Sequence, residues 1–140
     1  MIPLRLLLDT NVVVAAALNP EGLSRSVLLL ATAKPAQLYL SAAILAEYSS
    51  VLRRRELGIR RGLQLQLLNL IEDRGRLVSP SRTVRAASDP ADDIFLECAD
   101  EARADYLITG NSRHFPKFWK ATKIVTAWEF IELIGPHLIP

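Results

Sequence analysis

The chain has 140 residues, half of them apolar, and a formal net charge of only +2. This fits a single domain spanning residues 1–140 with a two- or three-layer core, and it excludes a disordered chain or a polybasic nucleic-acid binder recognised by bulk charge. The apolar stretches fall well short of the ~20 residues of a bilayer span, so no membrane partner is expected. One cysteine, Cys98, permits no internal disulfide, and with the scattered His114 and His137 it gives no zinc set.

The opening MIPLRLLLD lacks the basic segment, apolar core and small-residue cleavage site of a secretory leader. Together with the lone thiol, which reads as a core residue, this predicts a reducing cytoplasmic setting. IPLRLLLD reads instead as a buried parallel strand. Thr10 and Asn11 are capping types, and VVVAAALNPEGLSRSVLLLATAK after them is helical, broken near Asn19, Pro20 and Gly22. Pro35 separates it from a second short strand, QLYLS. Ser41 caps AAILAEYSSVLRR, where Ile44, Leu45, Tyr48 and Leu52 recur at helical spacing. Gly58 punctuates, RRGLQLQLLNLIEDRG forms a further amphipathic helix ending at Gly75, and RLVSP is a strand.

SDPADDIFLECADEARA carries a strong helix start, with Asp89 as cap, Pro90 at the first position and acids in the first turn. DYLITGN is strand then loop, KIVT a last strand and AWEFIELIG a terminal helix. Strands and helices alternating in this way predict a mostly parallel sheet covered by helices on both faces.

One charge stands out in LLLDTNVVVAAAL. An unpaired buried carboxylate is costly, so Asp9 must cap, pair, or hold a cation. In open parallel sheets ligands bind beyond the carboxyl ends of the strands. Asp9 ends the first strand, Asn111 follows YLIT, Glu47 lies early in the helix after the second strand, and Asp92 and Asp93 open the helix leading into YLIT. The topology therefore brings these oxygen donors to one rim, where they would repel one another without a cation. Hard oxygen donors select Mg²⁺ or Mn²⁺. Each residue also has a plainer role: Asp9 as a helix cap, Glu47 as helix surface, Asp92 in a capping box with Asp89, Asp93 at the helix dipole, Glu97 as surface or support.

LLLDTNVVVAAAL, SAAILAEYSSVLRR, DPADDIFLECADEARADYLITGN and RHFP, in this order and spacing, resemble the PIN-domain family in its branch of bacterial toxin nucleases. The resemblance implies a three-layer α/β/α Rossmann-like sandwich and a metal-dependent endoribonuclease acting on single-stranded or looped RNA, within a toxin–antitoxin pair. It implies Asp9, Glu47 and Asp93 as catalytic and metal-binding acids, with Asp92 beside them as a further ligand and Thr10, Asn11 and Asn111 orienting substrate or water. It also implies a protein antitoxin covering the acid site and a homodimer through the helices of AAILAEYSSVLRR and RRGLQLQLLNLIEDRG. Many PIN nucleases carry Asp where this chain has Asn111, which costs the site one negative charge. The competing expectation is a PIN-like module that binds RNA or protein without cutting it. A phosphatase reading lacks support because DTN has no second Asp, and a receiver reading because the order of elements does not provide an acceptor Asp at the end of a central strand with a Lys after a later one. Substrate grip is expected from Arg53, Arg54 and Arg55 and from Lys117, Lys120 and Lys123 near Trp119, which either stacks a base or packs in the core. His114 reads as a loop anchor rather than a general acid.

Overall fold

The computed structural model describes residues 3–138, with side chains as far as Pro136; Ile2, the expected start of the first strand, and the side chain of His137 lie outside it. Strand β1 (Arg5–Leu8) sits near the centre of a six-stranded sheet in the order β3-β2-β1-β4-β6-β5. Its three leucines, Leu6, Leu7 and Leu8, are fully buried, as a strand covered on both faces requires. Helix α1 (Thr10–Leu18) follows with Asp9 as its cap and stops at Asn19, before Pro20. Helix α2 (Leu23–Ala31) leads to β2 (Gln37–Leu40), which pairs in parallel with β1.

Helix α3 (Ala42–Leu52) starts at Ser41, whose hydroxyl accepts the Ile44 N–H at 3.2 Å. Ile44, Tyr48 and Leu52 form its buried stripe. Helix α4 (Arg61–Arg74) ends at Gly75, where only glycine fits. A Cβ there would lie 2.5 Å from the Ile71 carbonyl oxygen and 2.6 Å from Leu40. Strand β3 (Arg76–Leu77) is two residues long, shorter than the predicted RLVSP. It is an exposed edge, and Pro80 cannot donate to a ladder.

The predicted helix at Pro90 begins as a 3₁₀ turn (Pro90–Asp92), with Asp89 accepting the Ala91 N–H at 3.0 Å, and continues as α5 (Asp93–Ala102). Strand β4 (Tyr106–Ile108) lies in parallel beside β1 on the side away from β2. After a 3₁₀ turn (Ser112–His114) comes β5 (Phe118–Trp119), which the sequence did not suggest, antiparallel to β6 (Thr122–Val125). Helix α6 (Ala127–Leu138) closes the described chain. The six helices flank the sheet as a three-layer α/β/α sandwich. Among the described residues no single helix is long and apolar enough to cross a membrane.

From β1 the chain winds outward through β2 to β3, then crosses back to β4 on the other side of β1. The strand order thus reverses between β1 and β4, and at such a point the loops diverge and leave a crevice. Asp9 is the first residue past β1 and Thr109 the first past β4.

Candidate functional site

A cleft of about 630 Å³ opens at this switch point. The backbone N–H of Asp9 donates to the Ile108 carbonyl at 2.9 Å, which carries the ladder one residue beyond β1. The Asp9 side chain is only 5% exposed and both of its oxygens are engaged. Oδ1 accepts the Thr10 N–H at 2.7 Å, and Oδ2 accepts the Thr109 hydroxyl, also at 2.7 Å. Burial raises the Asp9 pKa, the two hydrogen bonds partly offset that rise, and the Glu47 charge adds to it.

Glu47 and Asp92 line the same cleft. The Thr10 hydroxyl donates to Glu47 Oε2, so one threonine bridges the first two acids through its amide and its hydroxyl. Asp92 is pushed up to about 6, first by burial and then by the negative charges of Asp9 and Asp89. Its expected capping-box contact is not made. Its carboxylate instead stands 3.8 Å from Nδ1 of His114, which also lines the cleft.

Asn11, Asn111 and Arg54 face the cleft as well. Asn11 Oδ1 accepts the Gly110 N–H at 2.9 Å and so ties the start of α1 to the loop after β4. Asp93, expected as the third acid, does not line the cleft. It is 7% exposed, and its Oδ1 accepts the N–H groups of Ala86 and Ala87 at 3.0 and 2.8 Å. One turn on, Glu97 Oε2 accepts the Val84 N–H at 3.0 Å, and a further turn on, Glu101 Oε1 accepts from Ser81 N–H and hydroxyl. These three acids form one stripe of α5 and hold the preceding loop by its backbone.

The remaining expected residues lie elsewhere. Arg53 caps the end of α3 and points to solvent without lining the cleft. Lys120 pairs with Asp100 at 2.7 Å, and Lys117 lines a separate groove. Trp119 is half-buried, with Lys120 stacked 5.8 Å from its ring centre. Sequence reasoning missed Thr109 and the cleft-facing positions of Glu56 and Asp89, and it read His114 as a loop anchor. Only Thr109 left a usable signal, as a hydroxyl closing the apolar run YLIT.

The family model of the PIN domain matches residues 5–113, most of the chain. The chain belongs to the PIN-domain family. PIN domains are generally nucleases. This PIN domain is also similar in fold to a solved structure of VapBC2 from Rickettsia felis bound to a DNA fragment from their promoter. The TM-score is 0.56 at 16% identity, over 86% of this chain and 98% of the other. No curated protein matches the sequence.

The donor set of the PIN-domain cleft suits a hard divalent cation: carboxylates of Asp9, Glu47 and Asp92 and the Asn111 amide outnumber one imidazole, His114, which stands beside Asp92, and there is no thiol. Among the described residues no three acids, histidines or cysteines already converge to coordination distance. The raised pKa values of Asp9 and Asp92 are what carboxylates crowded at a partly buried rim acquire, and a cation would relieve that repulsion.

Proposed function

We propose that this PIN domain is a Mg²⁺- or Mn²⁺-dependent endoribonuclease that cleaves single-stranded or looped RNA, and that it is the toxin of a toxin–antitoxin pair. The carrying observation is the buried Asp9 carboxylate, fixed by Thr10 and Thr109 at the switch point and sharing an open cleft with Glu47 and Asp92. Asp9, Glu47 and Asp92 would hold the metal, which would supply positive charge for the scissile phosphate and lower the pKa of a water there.

The chain's own groups do the rest. Thr109 and Thr10 orient Asp9 and favour its ionised form against burial, and Thr10 also positions Glu47. Arg54 offers a planar fork to a phosphate entering the cleft. Asn11 keeps the β4 loop in place so that Asn111 stands at the mouth. Asp93 acts at one remove, by anchoring to Ala86 and Ala87 the turn that presents Asp92. The cleft wall also carries Leu18, 53% exposed, with Val14 and Val51. That apolar margin suits a covering antitoxin segment, in keeping with the VapBC2 complex that the fold resembles. A homodimer through α3 and α4 belongs to the same reading, with exposed Leu65 on α4 available to it.

The test is cleavage of mixed-sequence single-stranded RNA with Mg²⁺ or Mn²⁺, against EDTA and the variants Asp9→Asn, Asp92→Asn and Asp93→Asn. Cleavage that is lost with EDTA, Asp9→Asn and Asp92→Asn is expected, with Asp93→Asn mainly lowering stability. If a folded wild type is inert in both metals on several RNAs, the chain is a silent binding module. If Asp93→Asn abolishes cleavage at unchanged stability while Asp92→Asn does not, the third ligand is Asp93.

A further inference from the structure

The acid cleft is a poor place to gain affinity for a polyanion. Asp9, Glu47, Glu56, Asp89 and Asp92 line it against Arg54 and His114. If the chain acts on RNA as proposed above, the strand must be gripped elsewhere.

A second groove of about 430 Å³ shares a wall with the cleft. The wall is the 3₁₀ turn Ser112–His114: Asn111 and His114 face the acids, whereas Ser112 and Arg113 face the groove. Arg113, Lys117 and Lys123 line it, and among the described residues none of them has a carboxylate within ion-pair distance. Lys120 differs, being matched to Asp100. The groove's one acid, Glu129 in the first turn of α6, reaches back to the start of its own helix, its Oε1 accepting the Thr126 N–H at 3.0 Å. That backbone bond does most to lower its pKa, and the Lys123 charge adds only the smallest part of the lowering. Beside the cations stands Phe118, 60% exposed. The antiparallel register sets Phe118 directly opposite Lys123, and the Ile124 N–H holds the Lys117 carbonyl at 3.0 Å. Ring and cations are therefore fixed by a sheet edge rather than scattered on loops.

Unpaired cations beside an exposed aromatic ring suit a single-stranded nucleic acid, whose phosphates take the charge while a base stacks on the ring. An acidic peptide would use the charges but leave the ring unexplained. We infer that the groove of Arg113, Lys117, Phe118 and Lys123 is an extension subsite for single-stranded RNA, holding the part of the strand that leaves the acid cleft over the Ser112–His114 turn.

Binding of a fluorescein-labelled 12-nucleotide RNA to the full-length Asp9→Asn protein tests this, read by anisotropy across a salt series. Replacing Arg113, Lys117 and Lys123 together by Ala should weaken binding at least about tenfold at low salt. It should also flatten the slope of log K against log salt by about 2, at roughly 0.7 per phosphate contact. Lys117→Arg with Lys123→Arg should keep the parent's affinity and slope. Phe118→Ala should weaken binding about tenfold with the slope unchanged. Melting temperatures check that each variant folds. Unchanged affinity and slope in the triple variant overturns the subsite but leaves the nuclease reading standing. Displacement of the RNA by an equally charged oligoglutamate as readily as by unlabelled RNA also overturns it, in favour of an acidic peptide. If the Asp9→Asn parent binds no RNA at all, both readings fail.

Discussion

Thr109→Val is the cleanest perturbation of the site. The two side chains have nearly the same shape, and Thr109 is completely buried, so the change opens no cavity and puts an apolar methyl where the hydroxyl met Asp9. Two hydrogen bonds go with the hydroxyl: the 2.7 Å donation to Asp9 Oδ2 and the 3.0 Å acceptance from the Asn111 N–H. A bond to a charged group contributes about 1.5–3 kcal/mol and a neutral one about 1 kcal/mol. Because Asp9 is 5% exposed, water cannot readily replace the lost donor. A loss of about 2–3 kcal/mol is expected at pH 8 without metal, or roughly 6–9 °C in Tm for a domain of this size. Losing the donor disfavours the ionised carboxylate, so the Asp9 pKa, already raised, rises further. The destabilisation should therefore shrink toward about 1 kcal/mol as pH falls through that pKa and the carboxyl becomes neutral. Urea melts of wild type and variant at pH 8 and pH 4.5, followed by circular dichroism, measure both values. A loss under about 0.5 kcal/mol at pH 8, or one no smaller at pH 4.5, would refute the role given to Thr109.

Two further outcomes are expected. Asp92 titrates at about 6 in the fold against an ordinary 3.8, so the folded state holds its proton more tightly and this acid's contribution to stability falls as pH rises between about 4 and 6. Without metal, Tm should drop across that window in wild type but less in Asp92→Asn, and millimolar Mn²⁺ at pH 7.5 should recover it; equal drops in the two proteins would contradict this. Cys98 is fully buried and its thiol is pushed up to about 12, so a disulfide reagent at pH 8 should label it only after denaturation. Labelling of the native protein within minutes would show that the α5 core opens.

Asp9 could be read from sequence because its signal is local: a carboxylate interrupting an apolar run, directly followed by capping residues. The helices were equally readable, since Ile44, Tyr48 and Leu52 share a face through spacing alone. Thr109 could not be assigned a partner, because its hydroxyl reaches Asp9 only once β4 lies against β1, a pairing across a hundred residues. Asp92 and Asp93 look equivalent in a first turn. Their parting depends on the loop before α5 folding back to offer the N–H groups of Ala86 and Ala87, and spacing does not encode that. Lys120 looked as available as Lys117 until the fold set Asp100 beside it. Strand β5 escaped notice because two residues carry no period.

The stripe of Asp93, Glu97 and Glu101 has a bearing on how this chain can vary. It grips the loop at Ser81, Val84, Ala86 and Ala87 through their backbone N–H groups. Any residue except proline presents the same donor. Ala86 can therefore exchange its side chain without loosening the loop, while Val84 and Ala87 pack on the core and Ser81 adds its hydroxyl; each acid is bound to its place by length and charge. In relatives that keep this hinge, position 86 should drift in sequence while the acids every fourth residue persist. A row of unchanging carboxylates here would record how the loop is tied down, whatever else Asp93 does at the cleft.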